Sequence, residues 1–255
     1  DVSGSMLNTD IQLVETFEQL INSFKVQRIG LEMFNVAGSP VVSLTDDYDT
    51  LRERLAYTKE MLKLLQDSSE ISNSKWSEMH AFFAGAEVSV KDANLPSSNV
   101  GLGLASCVEH MGLNTNSRSQ SVILATDNEL GGPPSAAIIS TKQAMALAKQ
   151  RSVRVYALDP GVFNEDTMRS EPNVPDNHLG EHAELKTYSI LTSGAYYRLS
   201  EKNIVPSIIE QISKQEATLF TGDSQYTVND APLTPFIVLA VAVAGLMVIT
   251  WRLKL

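Results

Sequence analysis

From residue 100 onward the chain switches repeatedly between two hydrophobic periods, and that alternation constrains its fold more than any other feature. Apolar runs at 121–126, 153–158 and 196–199 read as short buried strands, while 100–111, 141–150, 182–192 and 204–215 carry helical spacing. Strands alternating with helices of about 10–15 residues form βαβ units, which build a mostly parallel sheet covered by helices on both faces. The expected class is α/β, doubly wound and Rossmann-like. Upstream, residues 10–25 line up Ile11, Val14, Phe17, Leu20, Ile21 and Phe24 on one helical face, and 48–66 forms a second helix capped by Thr45-Asp46-Asp47. Between them, 28–35 and 41–44 alternate like strands joined through Gly38 and Pro40, which predicts an antiparallel hairpin at one sheet edge. Residues 67–95 are the least patterned. Ser68, Ser69, Ser72, Ser74 and Ser77 predict an exposed insertion, with a short packed helix at 79–84.

Residues 233–251 form an apolar stretch without a single charge. Nineteen residues at the helical rise span roughly 28 Å, close to a bilayer core of about 30 Å, and predict one transmembrane helix. Arg252 and Lys254 follow it directly, whereas 221–234 holds two Asp and no Lys or Arg. The charge asymmetry places the preceding domain outside the cytoplasm, at the cell membrane, with 252–255 as a cytoplasmic stub. Residues 216–232 read as a polar tether, and 1–215 as the domain.

A composition of 43% hydrophobic and 20% charged residues is that of a folded chain with a substantial core. The net charge of -10 excludes a nucleic-acid partner, because phosphates would be repelled and no basic stripe offsets the acids. The single cysteine, Cys107, excludes an internal disulfide and a cysteine zinc cluster. Placed among Leu104, Ala105 and Val108, it reads as a packed core thiol.

Chemistry concentrates in the first residues. Asp1-Val2-Ser3-Gly4-Ser5 brings one carboxylate and two hydroxyls onto a short loop, a set of hard oxygen donors suited to Mg²⁺, with Mn²⁺ or Ca²⁺ also permitted. Two further segments have matching character. Ser98 stands at the mouth of the helix 100–111, and the strand 121–126 runs into Asp127.

In order and spacing these three loops resemble the metal-ion-dependent adhesion site of the von Willebrand factor A domain family. The resemblance covers residues 1 to about 215 and implies metal ligands at Asp1, Ser3, Ser5, Ser98 and Asp127. Two carboxylates would balance a dication's charge and leave it able to accept a further ligand, which in the family is a partner protein's carboxylate. Ser98 stands where the family usually has Thr, and Asn128 and Glu129 follow Asp127 where it often has Gly. In a doubly wound domain such a loop follows a central strand. The chain starts at Asp1, so that first central strand is expected upstream, together with a signal peptide or a first membrane helix. A free α-amino group on Asp1 is expected to place positive charge beside the metal and disfavour it.

Several segments also resemble the Bat-type, membrane-anchored proteins of the bacterial aerotolerance group: Arg28-Ile29-Gly30-Leu31, Leu44 to Asp47, and Gly194-Ala195-Tyr196-Tyr197-Arg198. That resemblance implies a role in envelope complex assembly or stress tolerance beside a MoxR-type AAA+ ATPase. A surface adhesin or pilus-like factor using the same site on host or matrix ligands is the alternative. No Glu or His accompanies the metal motif as a general base, so a binding module rather than an enzyme is expected. Other motifs are weaker. Gly101-x-Gly103-x-x-Ser106 lacks the third glycine of a dinucleotide fingerprint and reads as helix packing. His178 and His182 are spaced as a helical pair, but Gly180 and nearby acids point to a loop and against zinc. No Gly-x-Ser-x-Gly elbow is present.

Overall fold

The computed structural model describes residues 1–6, 9–24, 26–66, 72–86, 98–112, 119–128, 137–164, 169–171, 179–200 and 204–220. In chain order its elements are α1 (Asp10–Ser23), β1 (Ile29–Phe34), β2 (Gly38–Thr45), α2 (Tyr48–Gln66), α3 (Asn73–Phe83), α4 (Val100–His110), β3 (Gln120–Ala125), α5 (Thr141–Gln150), β4 (Val153–Asp159), β5 (Val162–Asn164), β6 (Arg169–Glu171), α6 (Leu179–Leu191), β7 (Ala195–Arg198) and α7 (Ile204–Phe220). A short 3-10 turn, Gly4–Met6, precedes α1.

The expected α/β alternation is realised. β3, β4 and β7 pair in parallel in that order, and β1 and β2 form the predicted antiparallel hairpin, though as a separate two-stranded sheet and not at the edge of the parallel one. Side chains along β4 alternate between two layers, as the period of a strand requires. Val153, Val155 and Ala157 pack with Val122 and Leu124 of β3 beneath α4, α5 and Leu185 of α6. Tyr156 and Leu158 face the other way, against Leu13 and Leu20 of α1 and Ile204, Val205, Ile208 and Ile212 of α7. The parallel sheet is thus covered on both faces. α1 carries a second apolar stripe, Val14 and Ile21, which meets Leu51, Leu55, Met61 and Leu62 of α2, Met33 of β1, and Met79 and Phe83 of α3. Each fully buried leucine here contributes about 1.5–3 kcal/mol.

Two glycines hold α4 in position. A Cβ on Gly101 would lie 2.1 Å from the Ile139 carbonyl oxygen, and one on Gly103 would lie 2.3 Å from the Phe34 ring. Their role is close packing, as expected. Ile139 directly precedes the Ser140 capping box of α5, in which Ser140 and Gln143 satisfy each other's backbone N–H groups. α4 is therefore wedged between the end of β1 and the start of α5, and its N-terminus cannot drift.

Three expectations are corrected, and one element is new. The serine-rich segment is not simply an exposed connection, because α3 begins at Asn73, well before residue 79, with Ser72 as N-cap accepting from the Lys75 N–H. Serine beside a helix start caps it, and here that role outweighs its loop preference. Gly180 lies inside α6, which starts at Leu179 rather than in a loop running to His182. The hairpin β5–β6 was not anticipated at all. α7 runs on to Phe220, into the first residues assigned to the tether.

The chain divides into two units, Asp1–Leu219 and Phe220–Leu255. Beyond Phe220 the second unit, with the predicted span at 233–251, lies outside the described residues. Among the described residues no helix is long and apolar enough to cross a membrane.

Candidate metal centre

Asp1 and Val2 lie between the two ladders. The Asp1 α-amino group donates to the Ala125 carbonyl at the end of β3 (3.1 Å), and the Val2 N–H donates to the Phe34 carbonyl at the end of β1 (2.8 Å). The Asp1 side chain is fixed at both oxygens. Its Oδ1 accepts from the Ser3 N–H at 3.0 Å, and its Oδ2 accepts from the Thr126 hydroxyl at 2.7 Å. Each carboxylate oxygen retains a further lone pair for an ion or water. Thr126 is itself fully buried, and its hydroxyl accepts from the Asn128 N–H. The first and third loops are thereby locked together.

The second loop joins through Asn35. The Asn35 side-chain oxygen accepts from the Ser98 N–H at 3.0 Å and its carbonyl accepts from the Asn99 N–H at 2.7 Å, one residue beyond the Phe34 contact of Val2. Asn99 caps α4 by accepting from the Leu102 N–H. Ser98 has φ +54°, in the left-handed region, where a β-branched residue is strongly disfavoured. Serine, without a second γ substituent, is tolerated at this backbone better than threonine would be. Asn128 has φ +60°, and its side-chain oxygen accepts from Thr141 at the start of α5. Asparagine tolerates this conformation better than most residues.

Ser3 and Ser98 are both 3% exposed and Asp127 is 1% exposed. Asp127 is buried because β3 ends beneath the loops it joins. The side chain of Ser5 and residue Glu129 lie outside the described residues. Among the described residues, no three or more His, Cys, Asp or Glu side chains are grouped as a metal cage. The candidate donor set is instead two carboxylates supplemented by serine hydroxyls, and its chemistry suits a hard, oxygen-preferring dication.

Electrostatics draw in a residue that sequence reasoning took only as a helix start. Asp10 is buried at the first position of α1. Burial pushes its carboxyl up to about 8, with the α-amino group of Asp1 opposing and Asp127 reinforcing the shift. Burial lowers the Asp1 α-amino group to about 6, against the pull of Asp10 and Asp127. Thr126 and Asn35 were missed as partners of the site: Thr126 adjoins Asp127 in the sequence, whereas nothing local marks Asn35.

A second polar cluster lies at the end of β4. His182 Nδ1 meets Asp159 Oδ2 at 2.5 Å, the Tyr196 hydroxyl donates to the same oxygen, and the Gly161 N–H donates to Oδ1 at 2.8 Å. Burial and the Asp159 carboxylate raise the Tyr196 hydroxyl pKa. His182 thus serves a carboxylate inside the fold, and His178 lies outside the described residues.

The fold and loops together define an α/β domain with a candidate metal site at the carboxyl end of its strands. No protein-family model and no curated protein sequence matches the chain. Among solved structures, the conserved hypothetical protein BatB from Bacteroides thetaiotaomicron superposes with a TM-score of 0.50 at 15% identity, covering 86% of this chain and 91% of that one. An aerotolerance-related membrane protein from Bacteroides fragilis gives a TM-score of 0.48 at 18% identity, covering 84% and 90%. The likeness to BatB is one of fold.

Proposed function

We propose that this chain is a membrane-anchored, metal-dependent protein-binding module. Asp1, Ser3, Ser5, Ser98 and Asp127 would hold a divalent cation, Mg²⁺ in the first instance, and the cation supplies an electrophilic site for a carboxylate of a partner protein. The observation that carries the reading is the double tie of Asp1 to the end of β3, through Ala125 and Thr126. That tie puts the carboxylate of the first loop beside the segment that bears Asp127. Asn35 then ties Ser98 to the residue following β1. Within this reading Asp1 and Asp127 set the charge, Thr126 orients Asp1, and Asn35 positions Ser98.

The apolar stretch at 233–251 would anchor the module, with the domain outside the cytoplasm. A role in bacterial envelope assembly or stress tolerance beside a MoxR-type ATPase is proposed on the Bat-type sequence resemblance; the fold shared with BatB is compatible with it. The test is isothermal titration of Mg²⁺ and Mn²⁺ into the full chain in detergent micelles, beside Asp127→Asn. Saturable binding by the wild type and its loss in the variant is the expected result. Binding retained by Asp127→Asn, or none by the wild type, would overturn the reading.

A further inference from the structure

We propose that Glu32, Ser106 and His110 form a second cation site, which takes the transition-metal dication Zn²⁺ between the β1–β2 hairpin and α4. It shares no residue with Asp1, Ser3, Ser5, Ser98 and Asp127, and it stands whether or not those bind Mg²⁺. Ser106 and His110 are four residues apart on α4 and so share a face of the helix. Glu32 reaches them from β1: the His110 Nδ1 stands 2.8 Å from its Oε2 and 3.5 Å from the Ser106 Oγ. The other Glu32 oxygen carries the argument. The Glu32 side chain is only 9% exposed, and its Oε1 has no hydrogen-bond partner among the described residues. Burying a carboxylate oxygen in that state is costly. A Cβ on Gly38 of β2 would lie 2.3 Å from this Oε1 and 2.6 Å from the Ser106 Oγ, so glycine keeps open the space that both oxygens border.

The donor set decides the kind of ion. An imidazole beside a carboxylate suits Zn²⁺, whereas Mg²⁺ and Ca²⁺ prefer oxygen alone. Zn²⁺ binds imidazole nitrogen at about 2.0–2.1 Å and carboxylate oxygen at about 2.0–2.2 Å. Two such ligands at angles of about 90–110° sit roughly 3.0–3.4 Å apart, so the 2.8 Å contact of His110 with Glu32 opens by only a few tenths of an ångström to admit the ion. The imidazole ligates in its neutral form, with the proton on Nε2. Its side chain is 53% exposed, which gives the ion a way in. Among the described residues no third His, Cys, Asp or Glu joins the pair, so the Ser106 hydroxyl and water complete the shell. Cys107 feels the Glu32 charge but packs against the core, away from the donor set.

The test is titration of Zn²⁺ into the full chain in detergent micelles with Mg²⁺ in excess, for wild type, His110→Ala, Glu32→Gln, Asp127→Asn and Cys107→Ser. The expected result is saturable Zn²⁺ binding by the wild type, weakened at least about 10-fold in His110→Ala and Glu32→Gln and unchanged in Asp127→Asn and Cys107→Ser. The His110 imidazole resonances of the wild type should shift on Zn²⁺ addition, a readout that does not depend on how the variants fold. Wild-type affinity in His110→Ala, unmoved His110 resonances at saturation, or no saturable Zn²⁺ binding would each overturn the site. So would a loss confined to Asp127→Asn, which would assign the ion to the loops of the first site.

Discussion

Removing His182 tests the buried cluster at the end of β4 most directly. His182 is 4% exposed and Asp159 1% exposed, so their 2.5 Å contact is shielded from water. His182→Ala deletes one hydrogen bond to a charged group, a loss of about 1.5–3 kcal/mol, and leaves a void in the space of the imidazole. The full penalty of an isolated buried charge, about 3–5 kcal/mol, is softened because Asp159 keeps the Tyr196 hydroxyl and the Gly161 N–H. The expected cost is about 3 kcal/mol, equivalent to a fall of roughly 6–12 °C in Tm for a domain of this size. Tyr196→Phe removes only its hydroxyl and should cost about 1.5–3 kcal/mol. Because both side chains converge on one oxygen, the double variant should depart from additivity by about 0.5–3 kcal/mol. Urea unfolding of the wild type, the two single variants and the double variant measures all three terms, provided the m value is unchanged. A His182→Ala cost within about 0.5 kcal/mol, as for ordinary surface positions, would refute the reasoning. So would additivity within about 0.3–0.5 kcal/mol.

The second loop and the core thiol yield further predictions. Ser98→Thr, which keeps the hydroxyl and adds a methyl, should lower stability by about 1–2 kcal/mol and leave Mg²⁺ affinity no better, because φ +54° penalises a β-branched side chain. Tighter Mg²⁺ binding at unchanged stability would count against the left-handed assignment. Burial, with Glu32 adding, pushes the Cys107 thiol up to about 12 from an ordinary 9.0. The stability linked to that shift is complete below pH 9 and declines as pH rises toward 12, since the unfolded chain then loses its proton first. Folded protein at pH 8 should therefore react slowly with a thiol reagent, with urea-unfolded protein reacting at the free-thiol rate. Equal rates in the two states would contradict the half-buried packing of Cys107 against the core.

Local periodicity was enough for much of the scaffold. The helices 48–66 and 141–150 appear with their predicted bounds, and the hairpin of β1 and β2 and the parallel trio β3, β4 and β7 follow from apolar spacing and turn residues. Such patterns are legible because each depends only on neighbours a few residues away. The serine-rich stretch misled because serine favours both loops and helix caps, and only the packing of Met79 and Phe83 against α2 selects the cap. Gly180 suggested a break in α6, yet the helix continues through it. The loop motifs of the candidate metal centre were likewise visible as residue types. Their mutual arrangement was not. The bond from Thr126 to Asp1 spans 125 positions, that from Ser98 to Asn35 63, and the pairing of His182 with Asp159 23. Residue order determined which donors and apolar faces this protein has. Tertiary structure decided which of them meet, buried Asp127 and Asp10 beneath the loops, and set the left-handed backbone at Ser98 and Asn128, because strand adjacency brings together groups that no local period connects.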